Sequence, residues 1–149
     1  MEFLLVALSD LTATEALAGR VAARAGAGDA ILLEGPLGAG KTAFARAFLR
    51  VMDENPALEV PSPSFTLVQE YATARKKITH FDLWRLDGPA ALAELGWEEA
   101  RDGIVLVEWA DRLGVLRPTD ALVIQLSLGE GDARVARLSG WAGRLAGLA

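Results

Sequence analysis

Residues 30–42 read AILLEGPLGAGKT, an apolar run followed by a glycine-rich segment that ends in lysine and threonine. The run AILLE (30–34) predicts a strand that is buried on both faces. Residues 41–52, KTAFARAFLRVM, predict a helix with large apolar residues on one side. Residues 35–42 match the pattern G-x-x-x-x-G-K-[ST], which is typical of phosphate-binding loops. This strand, loop and helix indicate an α/β fold built around an anion site.

Each fixed position of the loop has a physical role in holding phosphate. Glycine permits backbone conformations closed to other residues, and successive N–H groups with the helix N-terminus attract anions. Lys41 supplies a positive charge to the β- and γ-phosphates, and the Thr42 hydroxyl is placed to ligate magnesium. A glycine-rich turn with a solvent-facing lysine is the alternative, but the flanking strand and helix favour the phosphate loop. The predicted phosphate-binding residues are Pro36, Leu37, Gly38, Ala39, Gly40, Lys41 and Thr42.

The composition limits the classes of protein to which the chain can belong. Its 149 residues predict a single domain over residues 1–149. A net charge of −5 and a pI near 4.9 argue against an extensive nucleic-acid-binding surface. The chain has no cysteine, which excludes disulfides and thiolate metal sites. No apolar run approaches the roughly 18 residues of a membrane span, so we expect a cytoplasmic protein without a membrane partner.

The remaining sequence alternates strands and helices early and pairs strands later. Short turns join the strands into two antiparallel hairpins, and residues 53–64 are proline-rich and predict an ordered loop. We therefore predict an α/β, P-loop NTPase-like three-layer domain with a mainly parallel central sheet and antiparallel additions. The predicted strands besides 30–34 are 3–9, 65–72, 76–86, 103–108, 120–128 and 133–140. The predicted helices besides 41–52 follow a capping box at Thr12–Glu15, start at Pro89, and cover 141–148.

Two acids are candidates for the magnesium site, because a P-loop enzyme needs a carboxylate at the end of a buried strand. Glu108 follows the run IVLV, and Asp82 ends the run ITHF. Either could hold magnesium directly or through water, or orient the attacking water; a structural ion pair is the alternative for both. Glu34, just before the loop, ranks lower because strand alternation decides where it points. His80, the single histidine, fits a structural role better than a catalytic one.

The segment PSPSFT (61–66) lies where many nucleotide-binding domains sense the γ-phosphate. Its hydroxyl residues Ser62, Ser64 and Thr66 could reach magnesium or that phosphate, although a loop of polar turn residues fits the composition equally well. Trp109, directly after Glu108, could lie beside a nucleotide or a partner.

Four stretches of the sequence together resemble the TsaE family, bacterial P-loop ATPases required for threonylcarbamoyladenosine formation in tRNA. They are LLEGPLGAGKTAFAR, VPSPSFTLVQEY, HFDLWRL and LVEWADR, in family order across roughly residues 30–112. HFDLWRL and LVEW are more specific than the phosphate loop alone. The resemblance implies a weak ATPase that uses ATP and Mg²⁺ and works with the proteins TsaB and TsaD. It also implies that tRNA is met indirectly, since TsaD transfers the threonylcarbamoyl group to the adenosine next to the anticodon.

The resemblance assigns roles to individual residues. It implies that Lys41, Asp82 and Glu108 are catalytic and that Glu108 joins Thr42 as a magnesium ligand. The family usually has threonine where this chain has Ser64, so Thr66 competes with Ser64 for the switch role. The residues that match functional positions of the family are Lys41, Thr42, Ser64, Asp82, Glu108 and Trp109.

Two other classes of protein share the loop. A nucleoside or small-metabolite kinase would transfer phosphate to a hydroxyl, but it usually needs an acceptor pocket and an arginine-bearing lid. After Glu108, the sequence offers only Arg112 and Arg117 before a proline and a strand. A nucleotide-gated binding module with negligible turnover is the third class, and the sequence does not separate it from a slow ATPase.

Overall fold

The computed structural model describes residues 2–63 and 66–149, and these residues form a seven-stranded sheet with helices on both faces. In chain order the elements are β1 (Phe3–Leu8), α1 (Leu11–Arg24), β2 (Ala30–Glu34), α2 (Lys41–Met52), β3 (Val68–Ala72), β4 (Lys77–Asp82), a 3₁₀ helix (Pro89–Leu95), α3 (Trp97–Ala100), β5 (Ile104–Glu108), a second 3₁₀ helix (Ala110–Leu116), β6 (Leu122–Leu128) and β7 (Arg134–Gly140). No helix in the described ranges is long and apolar enough to cross a membrane.

The strands lie in the order β1–β7–β6–β2–β5–β4–β3. The central strands β6, β2, β5 and β4 run parallel to one another. At the two edges, β1 and β7 on one side and β3 on the other pair antiparallel. The predicted fold class is therefore confirmed. β2 lies between β5 and β6 and runs parallel to both. The loop that follows β2 is therefore at the carboxyl end of these strands, where open α/β sheets bind ligands.

Helices α1 and α2 cover one face of the sheet. Phe44 and Phe48 of α2 and Leu17 of α1 are fully buried against strand residues such as Ile31 and Leu106. This helix-side core fixes α2, and with it the first residues after the phosphate loop, above β2 and β5.

The two 3₁₀ helices and α3 cover the other face of β2, β5 and β4. Leu92, Trp97 and Leu113 pack there against Leu32 and Val107. Since both faces of β2 and β5 are covered, these two strands are almost continuous apolar runs and not alternating ones. The sequence signal that predicted β2 and β5 has this physical origin.

The start of α1 differs from the prediction. The helix begins at Leu11, and the Asp10 side chain accepts a hydrogen bond from the Ala13 N–H at 2.9 Å. Aspartate caps a helix as well as threonine does, so Asp10 fills the role assigned to the capping box Thr12–Glu15.

Three further boundaries differ. The predicted helix over 141–148 is wrong, because those residues form turns in which Trp141, Gly143 and Gly147 have φ of 49°, 80° and 84°. A right-handed helix cannot include such residues. β4 ends at Asp82 and not at residue 86, since the chain turns there. β3 begins at Val68 and not at residue 65. Residues 64 and 65 lie outside the described residues.

Candidate functional site

The phosphate loop leaves the carboxyl end of β2 and leads directly into α2. Gly35, Gly38 and Gly40 have φ of 142°, 82° and 104°, in the left-handed region that favours glycine. At Gly35 an added Cβ would lie 2.4 Å from the carbonyl oxygen of Leu126, so the neighbouring strand also excludes a side chain. No side chain of the described residues caps α2 at Gly40, which leaves the N–H groups of its first turn available to an anion.

Glu108 ends β5 beside this loop. Its Cα is in register with Leu33 of β2 on one side and Asp82 of β4 on the other. The residue is 2% exposed, and its Oε1 accepts a hydrogen bond from the Thr42 hydroxyl at 2.8 Å. Its Oε2 lies 2.7 Å from Nε2 of His80, which is fully buried. The two residues expected to hold magnesium, Thr42 and Glu108, are thus in direct contact.

Strand alternation explains why these side chains meet. Ile78 of β4 and Leu106 of β5 belong to the helix-side core. His80, Asp82 and Glu108 are separated from them by even numbers of residues, so they face the same helices. At the carboxyl ends of both strands, α2 offers Thr42 in place of an apolar partner.

The Lys41 side chain folds back onto the backbone of its own loop. Its ammonium Nζ donates hydrogen bonds to the carbonyl oxygens of Gly35 at 2.6 Å and Pro36 at 2.9 Å. Nζ also lies 3.9 Å from the ring centroid of Trp109, a cation–π distance. Trp109 reaches that position with φ of 58° and ψ of 46°, a left-handed conformation at the end of β5.

Two opposing effects act on the pKa of the Lys41 ammonium group. Burial lowers the pKa of its ammonium below the ordinary value of 10.5, because desolvation disfavours the charged form. The carboxylates of Glu108, Asp82 and Asp111 act in the opposite direction. The Lys41 side chain is therefore close to several carboxylates.

Asp82 is 4% exposed at the end of β4. Its Oδ1 accepts a hydrogen bond from the Trp84 N–H at 3.0 Å, which turns the chain away from the strand. The half-exposed Trp84 ring then lies 4.4 Å, between centroids, from the ring of Trp109. This aromatic pair forms one wall of the site.

A cavity of about 460 Å³ opens over the loop. It brings together all three residues predicted to be catalytic, along with several predicted nucleotide-binding residues. The predicted site residues that line it are Leu37, Gly38, Gly40, Lys41, Thr42, Asp82, Glu108 and Trp109. Ala39 is instead fully buried, and Pro36 contributes the carbonyl that holds Lys41.

Of the described residues of the proline-flanked segment, one lines the cavity. Ser62 is exposed and lines the cavity, whereas Thr66 is an exposed turn residue. Ser64, the predicted switch residue, lies outside the described residues.

Charged residues near the site differ in their partners. Glu34 accepts a hydrogen bond from Arg117 at 2.6 Å and another from Gln125, which fits its lower rank as a candidate acid. Arg85 lines the cavity. Arg112 donates to the Leu86 carbonyl oxygen at 3.5 Å.

A second cavity, of about 480 Å³, adjoins the first and was missed by the sequence analysis. The two cavities share Gly40 and Ala43 at the start of α2. Asp10 and Leu11, from the start of α1, and Arg134, from the start of β7, form other walls. No local motif could have indicated it, because its walls come from both ends of the chain.

The oxygen atoms of the site suit a small, hard cation. A hydroxyl and a carboxylate are ligands that Mg²⁺ prefers, and Mg²⁺ commonly takes its other ligands from phosphate and water. Within residues 2–63 and 66–149, no three histidine, aspartate or glutamate side chains cluster closely enough to hold a metal by themselves. The donor set therefore fits Mg²⁺ that arrives with a phosphate ligand.

Comparison with known proteins identifies the family. The family described as "Threonylcarbamoyl adenosine biosynthesis protein TsaE" matches residues 8–136. The chain belongs to the TsaE family. This confirms the resemblance drawn from HFDLWRL and LVEW.

Individual TsaE proteins extend the comparison. The chain is 39% identical over 111 residues to the tRNA threonylcarbamoyladenosine biosynthesis protein TsaE of Rickettsia bellii, covering 73% of this chain and 76% of that one. It is 35% identical over 123 residues to TsaE of Bacillus subtilis, covering 81% and 75%. The crystal structure of Bacillus subtilis YdiB superposes with a TM-score of 0.76 at 29% identity, over 96% of this chain and 88% of that one. The fold is thus shared along almost the whole chain.

Proposed function

We propose that this protein is a magnesium-dependent ATPase that serves threonylcarbamoylation of the tRNA adenosine next to the anticodon. The observation that carries the proposal is the 2.8 Å hydrogen bond between the Thr42 hydroxyl and the Glu108 carboxylate. In P-loop enzymes, the hydroxyl of the loop and an acid from a neighbouring strand hold one magnesium ion. Lys41 and Asp82 line the same cavity, which supplies the remaining groups that phosphoryl transfer needs.

Lys41 binds the phosphates in this proposal. Its ammonium now rests on two carbonyl oxygens, which carry only partial negative charge. The β- and γ-phosphates carry full charges and form stronger, charge-assisted hydrogen bonds, so they draw Lys41 toward the nucleotide. The N–H groups at the start of α2 contribute to the same anion site.

Thr42 and Glu108 hold the magnesium ion, which neutralises the charge that develops on the transferred phosphoryl group. Asp82 lies beside Glu108 on the next strand, with its Oδ1 fixed by the Trp84 N–H. A carboxylate in that position can accept a proton from water or orient it for attack. We assign Asp82 the role of orienting or deprotonating water, and Glu108 the role of magnesium ligand.

The second cavity accommodates the nucleoside. It begins at Gly40 and Ala43, where the phosphate site ends, and lies away from Glu108. Leu11 offers a 58% exposed apolar surface there for a base, and Arg134 is fixed nearby by a hydrogen bond to the Gly38 carbonyl oxygen at 3.2 Å.

The partners in this proposal are TsaB and TsaD, which the family membership supports. A net charge of −5 disfavours broad contact with tRNA, so the chain would meet tRNA through those proteins in the cytoplasm. Trp84, 47% exposed at the cavity, is an apolar group available to a partner that closes over the nucleotide.

The test measures ATP binding and hydrolysis by the chain alone and with TsaB and TsaD. Lys41→Ala should abolish nucleotide binding, and Glu108→Gln should lower partner-stimulated hydrolysis by about 100-fold, as removal of a metal-site group commonly does. Glu34→Gln is the matched control, because this acid is paired with Arg117. Phosphate transfer to a small hydroxyl acceptor, without stimulation by the partners, would indicate a kinase instead. Tight binding with no hydrolysis under any condition would indicate a binding module.

A further inference from the structure

His80 has no role in the function proposed above, yet it is in direct contact with Glu108, one of the acids of the site. The residue is in the middle of β4, with 0% exposure, on the face that carries Ile78 into the helix-side core. An imidazole buried among apolar groups is costly unless its polar atoms are bonded. Its Nε2 is hydrogen-bonded to Oε2 of Glu108, at 2.7 Å.

The direction of this bond follows from its chemistry. An ionised carboxylate only accepts hydrogen bonds, so Nε2 of His80 carries the hydrogen and donates it to Glu108. The other ring nitrogen, Nδ1, is buried without a hydrogen-bond partner among the described residues. In the neutral ring, Nδ1 carries only a lone pair, so the single N–H of the ring is the one directed at Glu108.

The two oxygen atoms of Glu108 consequently have separate partners. Oε1 faces the Thr42 hydroxyl at 2.8 Å, and Oε2 faces His80. The last torsion of a glutamate side chain is broad and weakly restrained by itself. Bonds to both oxygens of the carboxylate restrain its rotation and keep Oε1 directed at the hydroxyl of the loop.

We propose that His80 is a positioning residue that restricts Glu108 to binding a metal through one oxygen and thereby favours Mg²⁺ over Ca²⁺. This inference rests on the proposed function, in which Thr42 and Glu108 hold the metal. Mg²⁺ demands a small octahedral shell, whereas the larger Ca²⁺ readily takes both oxygens of a carboxylate. A hydrogen bond that occupies Oε2 disfavours the second mode.

The test uses ADP as the probe, so that no turnover occurs, and measures its binding by calorimetry at increasing Mg²⁺ or Ca²⁺ concentration. His80→Leu should raise the Mg²⁺ concentration for half-saturation about 10-fold or more, the usual effect of removing a partner of a metal ligand. The Ca²⁺ requirement should change less, so the preference for Mg²⁺ should fall. ADP affinity in the presence of a chelator should stay within about 3-fold of the wild-type value.

Two variants separate positioning from a general effect on the strand. Thr79→Val alters the adjacent residue, which is 2% exposed and points to the opposite face of β4, and should leave both metal titrations unchanged. His80→Gln places an amide nitrogen where Nε2 lies and should recover most of the Mg²⁺ preference, whereas the shorter His80→Asn should not. If His80→Leu fails to fold, the comparison of the Gln and Asn variants decides.

The possible failures are distinguishable. The proposed function fails if the wild-type chain binds no ADP with Mg²⁺, or if Lys41→Ala leaves binding intact. The inference about His80 alone fails if binding depends on Lys41 but the His80 variants keep the wild-type ratio of Mg²⁺ to Ca²⁺ requirements. It also fails if His80→Leu weakens metal-free ADP binding to the same extent as Mg²⁺-dependent binding.

Discussion

Substituting Gly35 with alanine should be far more damaging than the same change three residues later in the loop. At Gly35, φ is 142° and an added Cβ would lie 2.4 Å from the Leu126 carbonyl oxygen. The unfavourable backbone conformation costs about 2 kcal/mol, and displacing a packed backbone costs about 2 kcal/mol more. At about 3 °C per kcal/mol in a domain of this size, Gly35→Ala should lower the Tm by about 12 °C.

Gly38→Ala is the matched control. Its φ is 82°, but among the described residues, apart from its two chain neighbours, no atom lies within 4 Å of the position that a Cβ would take. Only the left-handed conformation therefore contributes, at about 1 kcal/mol or about 3 °C in Tm. Thermal and urea unfolding of both variants, without nucleotide, measure the difference. Equal losses of stability in the two variants would refute the argument that contact with β6 is what requires glycine at residue 35.

Two further predictions concern the ion pair at the opposite end of the sheet and the tryptophan beside the loop. Burial acts to raise the pKa of Asp29, but hydrogen bonds from Arg144 and a backbone N–H lower it below its ordinary value of 3.8. Because folding lowers this pKa, ionised Asp29 stabilises the fold at pH values above the ordinary pKa. The stabilisation is lost as the pH falls through the folded-state pKa. Asp29→Asn should therefore cost about 1 kcal/mol at pH 7 and less at pH 2 in urea unfolding; an equal cost at both pH values contradicts the pairing. Trp109 lies 3.9 Å from the Lys41 ammonium, so ADP with Mg²⁺ should change the tryptophan fluorescence. Trp109→Phe should reduce that change, and Trp97→Phe, in the core away from the cavity, should not; a full response without Trp109 would contradict the prediction.

The local pattern of the sequence was sufficient to predict the strand, the glycine-rich loop and the helix around residues 35–42. A buried strand, a glycine-rich turn and an amphipathic helix follow one another within residues 30–52, so neighbours in sequence are neighbours in space. The acids Asp82 and Glu108 were also predictable as strand-end residues. Glu108 follows the short apolar run IVLV, and Asp82 follows the β-branched and aromatic run ITHF, both of which favour a strand.

The predictions failed where residues distant in sequence decide the structure. The segment 141–148 has a helical composition, but its backbone follows contacts with α1: Arg20 donates to the Leu148 carbonyl oxygen at 2.8 Å, and Arg24 bonds the carbonyl oxygens of Arg144 and Ala146. Those interactions satisfy three of its carbonyl groups, and turn hydrogen bonds from the Arg144 and Leu148 N–H groups satisfy others. The cavity formed by Asp10 and Arg134 was missed for the same reason, since β1 and β7 meet only in the finished sheet.

The sequence by itself determined that a glycine-rich loop joins a buried strand to a helix, that the chain is TsaE-like, and which acids end the buried strands. Only the tertiary structure decided that Glu108 meets both Thr42 and His80. Alternation along a strand tells which side chains share a face, but it does not tell which strands lie side by side. The order β2–β5–β4 settles that, because pairing of Glu108 with Leu33 and Asp82 brings one carboxylate between the loop and the buried histidine.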